Sequence, residues 1–130
     1  MNYISNNEVF IKIFPEINEW PKSWAGDDKD IPVGEAILKY IKEFLMYQQT
    51  QVSKKTLRDY GQNLWHLGGE IIRETNGTRI KAQHINEKFM FKYISDVGGI
   101  YCRHLDSEKE YDRYNYTCRI LYKYINENLS

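Results

Sequence analysis

Hydrophobic and polar positions alternate most clearly over residues 53–74, where Leu57, Tyr60, Leu64, Leu67 and Ile71 recur every three or four residues. Lys54, Lys55, Arg58, Asp59, Gln62 and Asn63 fall mostly on the other side, which predicts an amphipathic helix of about six turns. Ser53 stands where an N-cap hydroxyl would accept the Thr56 N–H, and Asn76 with Gly77 suits the left-handed turn that closes a helix. Gly68 and Gly69 interrupt this helix at a cost of about 2 kcal/mol together relative to alanine. That cost predicts close approach of another helix to the bare backbone with no side chain intervening, the alternative being a ligand lying there.

Three further helices follow from the same spacing. Ile37, Leu38, Ile41, Phe44 and Leu45 define one over 33–49, with Tyr40 and Tyr47 at its flanks, and a short QTQV link makes it a neighbour of the 53–74 helix. A helix over 86–97 would bury Ile85, Phe89, Tyr93, Ile94 and Val97 and stop at Gly98 and Gly99. Ser107 and Glu110 form a capping box for the last helix, which reaches Asn128 with Tyr111, Tyr114, Cys118, Leu121, Tyr122 and Ile125 inward.

Residues 1–32 read differently. Val9, Ile11 and Ile13 alternate against Phe10, Lys12 and Phe14, and Pro15, Pro21 and Pro32 act as helix breakers. The expectation is an extended, non-helical N-terminal arm packed on a helical body spanning 33–130, with Trp20 and Trp24 as its anchors. The same two rings are candidates for peptide binding or base stacking. Asp27, Asp28, Asp30 and Glu35 lack the glycine and terminal glutamate offsets of a calcium loop and read as a solvated lead-in to the next helix.

Composition adds bounds. A chain of 130 residues with 42% hydrophobic and 15% aromatic content makes one folded domain that needs no disulfide or metal. The first ten residues lack the basic start and apolar stretch of a signal peptide, so a cytoplasmic location is expected, with no membrane partner and with Cys102 and Cys118 as thiols. The net charge of zero hides an asymmetry: residues 1–36 hold three Lys against seven acids (−4), and the remainder fifteen basic residues against eleven acids (+4). This permits a local phosphate-binding patch without the high pI of a dedicated nucleic-acid binder.

Candidate chemistry is sparse. Cys102 and His104 sit two apart and, with Cys118 and either His66 or His84, offer the donor types of a zinc site, but the spacing matches no knuckle or finger. Neither a glycine-rich phosphate loop after a strand nor a GxSxG or HExxH motif occurs, so no catalysis, cofactor or small-molecule substrate is expected. Glu70 and Glu74, with Arg73 beside them, read as a solvated, charge-paired edge. Lys54, Lys55 and Arg58 cluster where free N–H groups at a helix start favour an anion, although lysines there oppose the helix dipole. Arg79, Lys81, Arg113 and Arg119 extend this patch if the bundle brings them round.

The run from Ile41 to Leu67, with Ser53, Thr56, Leu57, Tyr60 and Leu64 in an S-x-x-T-L-x-x-Y-x-x-x-L pattern, resembles the N-terminal core-binding domain of tyrosine recombinases and phage integrases. FMFKYI and YNYTCRILYKYI look like that domain's third and fourth helices, so the likeness covers roughly residues 35–128. The resemblance implies an all-α, SAM-like four-helix domain and maps the family's DNA-facing helix start to Lys54, Lys55, Thr56 and Arg58. Its catalytic domain has no counterpart, since none of His66, His84 or His104 is followed three residues later by arginine. The segment 63–73 also resembles one in small stand-alone bacterial proteins, a likeness that brings a grouping and no function. The expectation is thus a non-catalytic DNA- or nucleic-acid-binding accessory protein. The alternative is a protein-interaction module or homo-oligomer using exposed tyrosines and the tryptophan-bearing arm. A small enzyme or metal protein built around Cys102, His104 and Cys118 is a third class.

Overall fold

A computed structural model of the chain describes residues 6–128 and has an all-α fold. Three long helices dominate it: α3 (Asp30–Gln48), α4 (Lys54–Thr75) and α6 (Glu108–Asn128). Three short ones, α1 (Asn6–Ile13), α2 (Trp20–Trp24) and α5 (Glu87–Met90), fill the ends and flanks, and a two-residue-per-strand hairpin, β1 (Ile94–Ser95) with β2 (Gly98–Gly99), lies against α6.

The helix α4 has the expected start, stripe and stop. Ser53 Oγ accepts from Thr56 N at 3.2 Å, and the five apolar stripe residues are all buried. Gly77 takes φ +79°, the left-handed conformation that ends the helix. Helix α6 begins at the Ser107 cap, whose Oγ accepts from Glu110 N at 3.1 Å. On α6 Tyr114, Cys118, Leu121 and Ile125 are buried, and Tyr111 and Tyr122 are half-buried.

The N-terminal arm is helical rather than extended, which corrects the sequence expectation; its first five residues lie outside the described residues. Phe10, Phe14 and Ile17 are three or four apart and all buried, so helical spacing outweighs the short alternation of Val9, Ile11 and Ile13. The prolines sit where no N–H is missed. Pro15 follows α1, Pro21 opens α2, and Pro32 lies in the first turn of α3, which therefore begins inside the supposed arm. Asp30 is buried, not solvated: its Oδ2 accepts from Gly26 N and Asn76 Nδ2, each at 2.8 Å, tying the α2–α3 loop to the end of α4. One core runs from Phe10 to Ile125, so the arm and the helical body share it.

The expected helix over 86–97 is the second correction. Asn86 caps α5, accepting from Phe89 N at 2.8 Å, but the helix stops at Met90 and the chain turns into the hairpin. Phe89, Met90 and Ile94 are buried, whereas Val97 stands 78% exposed at the hairpin tip. Helical spacing of apolar residues here serves a turn, with Gly98 and Gly99 selected for contact with α6. A Cβ on Gly98 would stand 2.7 Å from Asn115 Cγ, and Gly99 N donates to Asn115 Oδ1 at 3.1 Å.

Candidate functional site

Helix α4 carries two surfaces of interest, one at each end. At its start Lys54, Lys55 and Arg58 are exposed, Thr56 is half-buried, and none of the three cations lies within 4.0 Å of a carboxylate among the described residues. Lys54 and Arg58, four apart, share a helix face. The cap hydroxyl of Ser53 is used on Thr56 N, and the N–H groups of Lys54 and Lys55 have no acceptor among the described residues. Two donors and three cations therefore face solvent together.

The bundle brings only part of the wider basic set to this place. Arg113 lines a groove with Thr56, Tyr60 and Tyr116, because α6 runs antiparallel to α4 and Asn63 Nδ2 bonds Thr117 Oγ1 at 2.9 Å. Asp59 and Asp112 share that groove and offset its charge. Arg79 and Lys81 lie beyond the far end of α4, about 33 Å along a helix of 22 residues, and Arg119 lines a separate hollow with Asp96 near the hairpin.

The far half of α4 borders a cleft of 420 Å³ beneath α2 and the loop that follows the hairpin. Its floor is the Trp24 ring, seated on the bare backbone of Gly68 and held by a bond from Nε1 to Trp65 O at 2.9 Å. Helix α2 does come up to the two glycines, but through a side chain, the Trp24 indole, where none was expected to intervene. Glu70, read from the sequence as solvated, is buried with 7% of its side chain exposed. The loop returns over it: Arg103 N donates to Oε2 at 3.2 Å, Arg103 Nε lies 3.7 Å from Oε1, and Arg73 Nη1 lies 3.5 Å from Oε2. Arg73 Nη2 is 3.4 Å from His104 Nε2, and His66 faces His104 with ring centroids 6.5 Å apart. Burial, reinforced by His104, lowers the His66 pKa from its ordinary value. Only the i,i+3 pair Glu70 and Arg73 gave a sequence signal for this cluster, and it reads equally as a surface pair.

The sulfur and imidazole groups do not converge. The Cys102 side chain is buried in the core while His104 is exposed beside Arg73, and Cys118 packs beneath Gly99 with its thiol pushed up to about 12 by burial. His84 Nδ1 instead accepts from Lys81 N at 2.9 Å, closing a local turn. Among the described residues no group of three His, Cys, Asp or Glu is arranged to hold a metal ion, and no helix is long and apolar enough to cross a membrane. No family model, curated protein or solved structure matches the chain.

Proposed function

We propose that this chain is a non-catalytic nucleic-acid-binding accessory protein that meets the phosphate backbone of DNA at the start of α4. The observation that carries this reading is that Lys54, Lys55 and Arg58 have no carboxylate partner among the described residues and stand beside two N–H groups of the first turn with no acceptor among them. A phosphate oxygen accepts from such N–H groups while the side-chain cations displace its counterions. The resemblance to recombinase core-binding domains supports the same residues, with Thr56 beside them. Contacts of this kind position a duplex without reading its sequence. A backbone-amide NMR titration with a short duplex tests the site. The amides of Lys54, Lys55 and Arg58 should shift first and saturably, and saturation of shifts elsewhere with these three unmoved overturns the reading.

A second reading, a protein-interaction module or homo-oligomer, draws on Val97 and Tyr101, which are 78% and 74% exposed on either side of β2. Concentration-dependent sedimentation that V97D abolishes would favour it.

A further inference from the structure

The cleft beside the far half of α4 has a one-sided polar lining. Its carboxylates are already engaged: Asp30 by Gly26 N and Asn76 Nδ2, and Glu70 by Arg103 N and Arg73. Both indole N–H groups are engaged too, Trp24 Nε1 on Trp65 O and Trp65 Nε1 on Ser23 Oγ at 3.0 Å. Donors are left over. Arg73 has N–H groups beyond those reaching Glu70 and His104, and a His104 that accepts at Nε2 carries its proton on Nδ1. The His66 ring makes no hydrogen bond among the described residues and stands beside Trp65. Apolar lining comes from the rims of the buried Trp24 and Ile72 and from the Trp65 indole, which is 38% exposed.

We propose that this cleft binds a small planar aromatic monocarboxylate. Its ring lies on the Trp65 indole above the rim of Trp24, and its carboxylate takes the free donors of Arg73, with His66 and His104 beside it. A volume of 420 Å³ falls in the range of small-molecule sites, about 300–1,000 Å³. Charge favours one anion beside Arg73, where Arg73 and Arg103 oppose Glu70; Glu110, the other carboxylate near His66, lines a separate hollow with Arg113. Asp30 is held against Asn76, about 15 Å along α4 from His66, and its own charge disfavours a second carboxylate at that end. Arginine's planar fork pairs with carboxylates better than a point charge does, and flat rings stack on indole faces. No small-molecule substrate is expected from the sequence beyond the alternative of a ligand at Gly68 and Gly69, because the polar residues of the cleft meet only through folding. The site stands apart from the nucleic-acid reading, since Arg73 is about 28 Å along the helix from Lys54.

The test titrates the full chain with benzoate, 1-naphthoate and indole-3-acetate, each against its neutral amide, by calorimetry and tryptophan fluorescence. The expected result is saturable 1:1 binding of at least one acid, with its amide at least about tenfold weaker. Arg73→Gln should weaken the acid at least about tenfold. That variant also removes a partner from Glu70, so its fold is checked by circular dichroism. His66→Gln, which breaks no internal hydrogen bond, should weaken the acid severalfold and decides the matter if Arg73→Gln fails to fold. No saturable binding of any of the three acids, equal binding of acid and amide, or acid affinity unchanged in His66→Gln overturns the proposal.

Discussion

Gly68 and Gly69 are adjacent in one helix and pay the same conformational cost, yet alanine should act on them in opposite directions. In each case the helix gains about 1 kcal/mol of propensity. At Gly69 the new Cβ would meet Trp24 Cδ1 at 3.4 Å, an ordinary contact, so Gly69→Ala should stabilise the fold by up to about 1 kcal/mol. At Gly68 it would stand 2.5 Å from Trp24 Cη2 and 2.7 Å from Cε2, where carbon atoms need about 3.5–4.0 Å. The ring has no easy retreat: it is buried, tied to Trp65 O, and backed by Gly34, where a Cβ would already meet its Cε3 at 3.4 Å. Overpacking of this kind costs about 1–3 kcal/mol, and expelling the indole would forfeit a burial term of about 2–3 kcal/mol with its hydrogen bond. Net of the propensity gain, Gly68→Ala should therefore be destabilising by up to about 2 kcal/mol, leaving the pair about 1–3 kcal/mol apart. Urea denaturation with matched m-values measures both, and thermal scans should separate the two Tm values by roughly 3 °C or more. Two alanine variants of equal stability would refute the seat assigned to Trp24.

Three further outcomes are expected. Glu70→Ala strips the charged acceptor from the part-buried Arg103 N–H and should cost about 1–3 kcal/mol in urea melts, whereas Glu74→Ala, on an exposed position, should stay within about 0.5 kcal/mol; equal effects would contradict the burial of Glu70. Burial and the neighbouring His104 hold His66 below its ordinary 6.5, against the smaller opposing influence of Glu110 and Glu70, so the unfolded chain binds more protons just below that value. This contribution to stability is whole above 6.5 and is lost as pH falls through it toward the folded pKa, so His66→Asn should flatten the acid side of the stability–pH curve, and an unchanged curve would count against the depressed imidazole. Burial raises both thiols, that of Cys118 to about 12, so a thiol reagent near neutral pH should label native protein far more slowly than urea-unfolded protein, and prompt native labelling would contradict this packing.

What the sequence reveals depends on how local each decision is. The N-cap at Ser53, the stripe from Leu57 to Ile71 and the cap at Ser107 are settled within one or two turns, and the structure follows them. The 86–97 segment shows the limit of periodicity: Phe89, Tyr93 and Val97 have helical spacing, but the packing of Gly98 and Gly99 on α6 favours a hairpin. In the arm, alternation over five residues competed with the Phe10, Phe14 and Ile17 spacing, and burial of that face decided for the helix. The start of α4 is legible because its residues are consecutive. The cleft is not, since Trp24 meets Trp65, and Arg103 meets Glu70, only through contacts 41 and 33 residues apart. Glu70 and Arg73 would look the same on a solvated helix face; the loop that covers them has no local signature.

The most direct measurement of the nucleic-acid reading is the salt dependence of duplex binding by fluorescence anisotropy, for the wild type and for Lys54→Ala, Lys55→Ala, Arg58→Ala combined, with unchanged folding verified. Each phosphate neutralised contributes about −0.9 to the slope of log K against log salt, so removing three cationic contacts should weaken binding and flatten the slope by up to about 2.7. Identical slopes for the two proteins, or no binding of the wild type even at low salt, would contradict a phosphate contact at the start of α4.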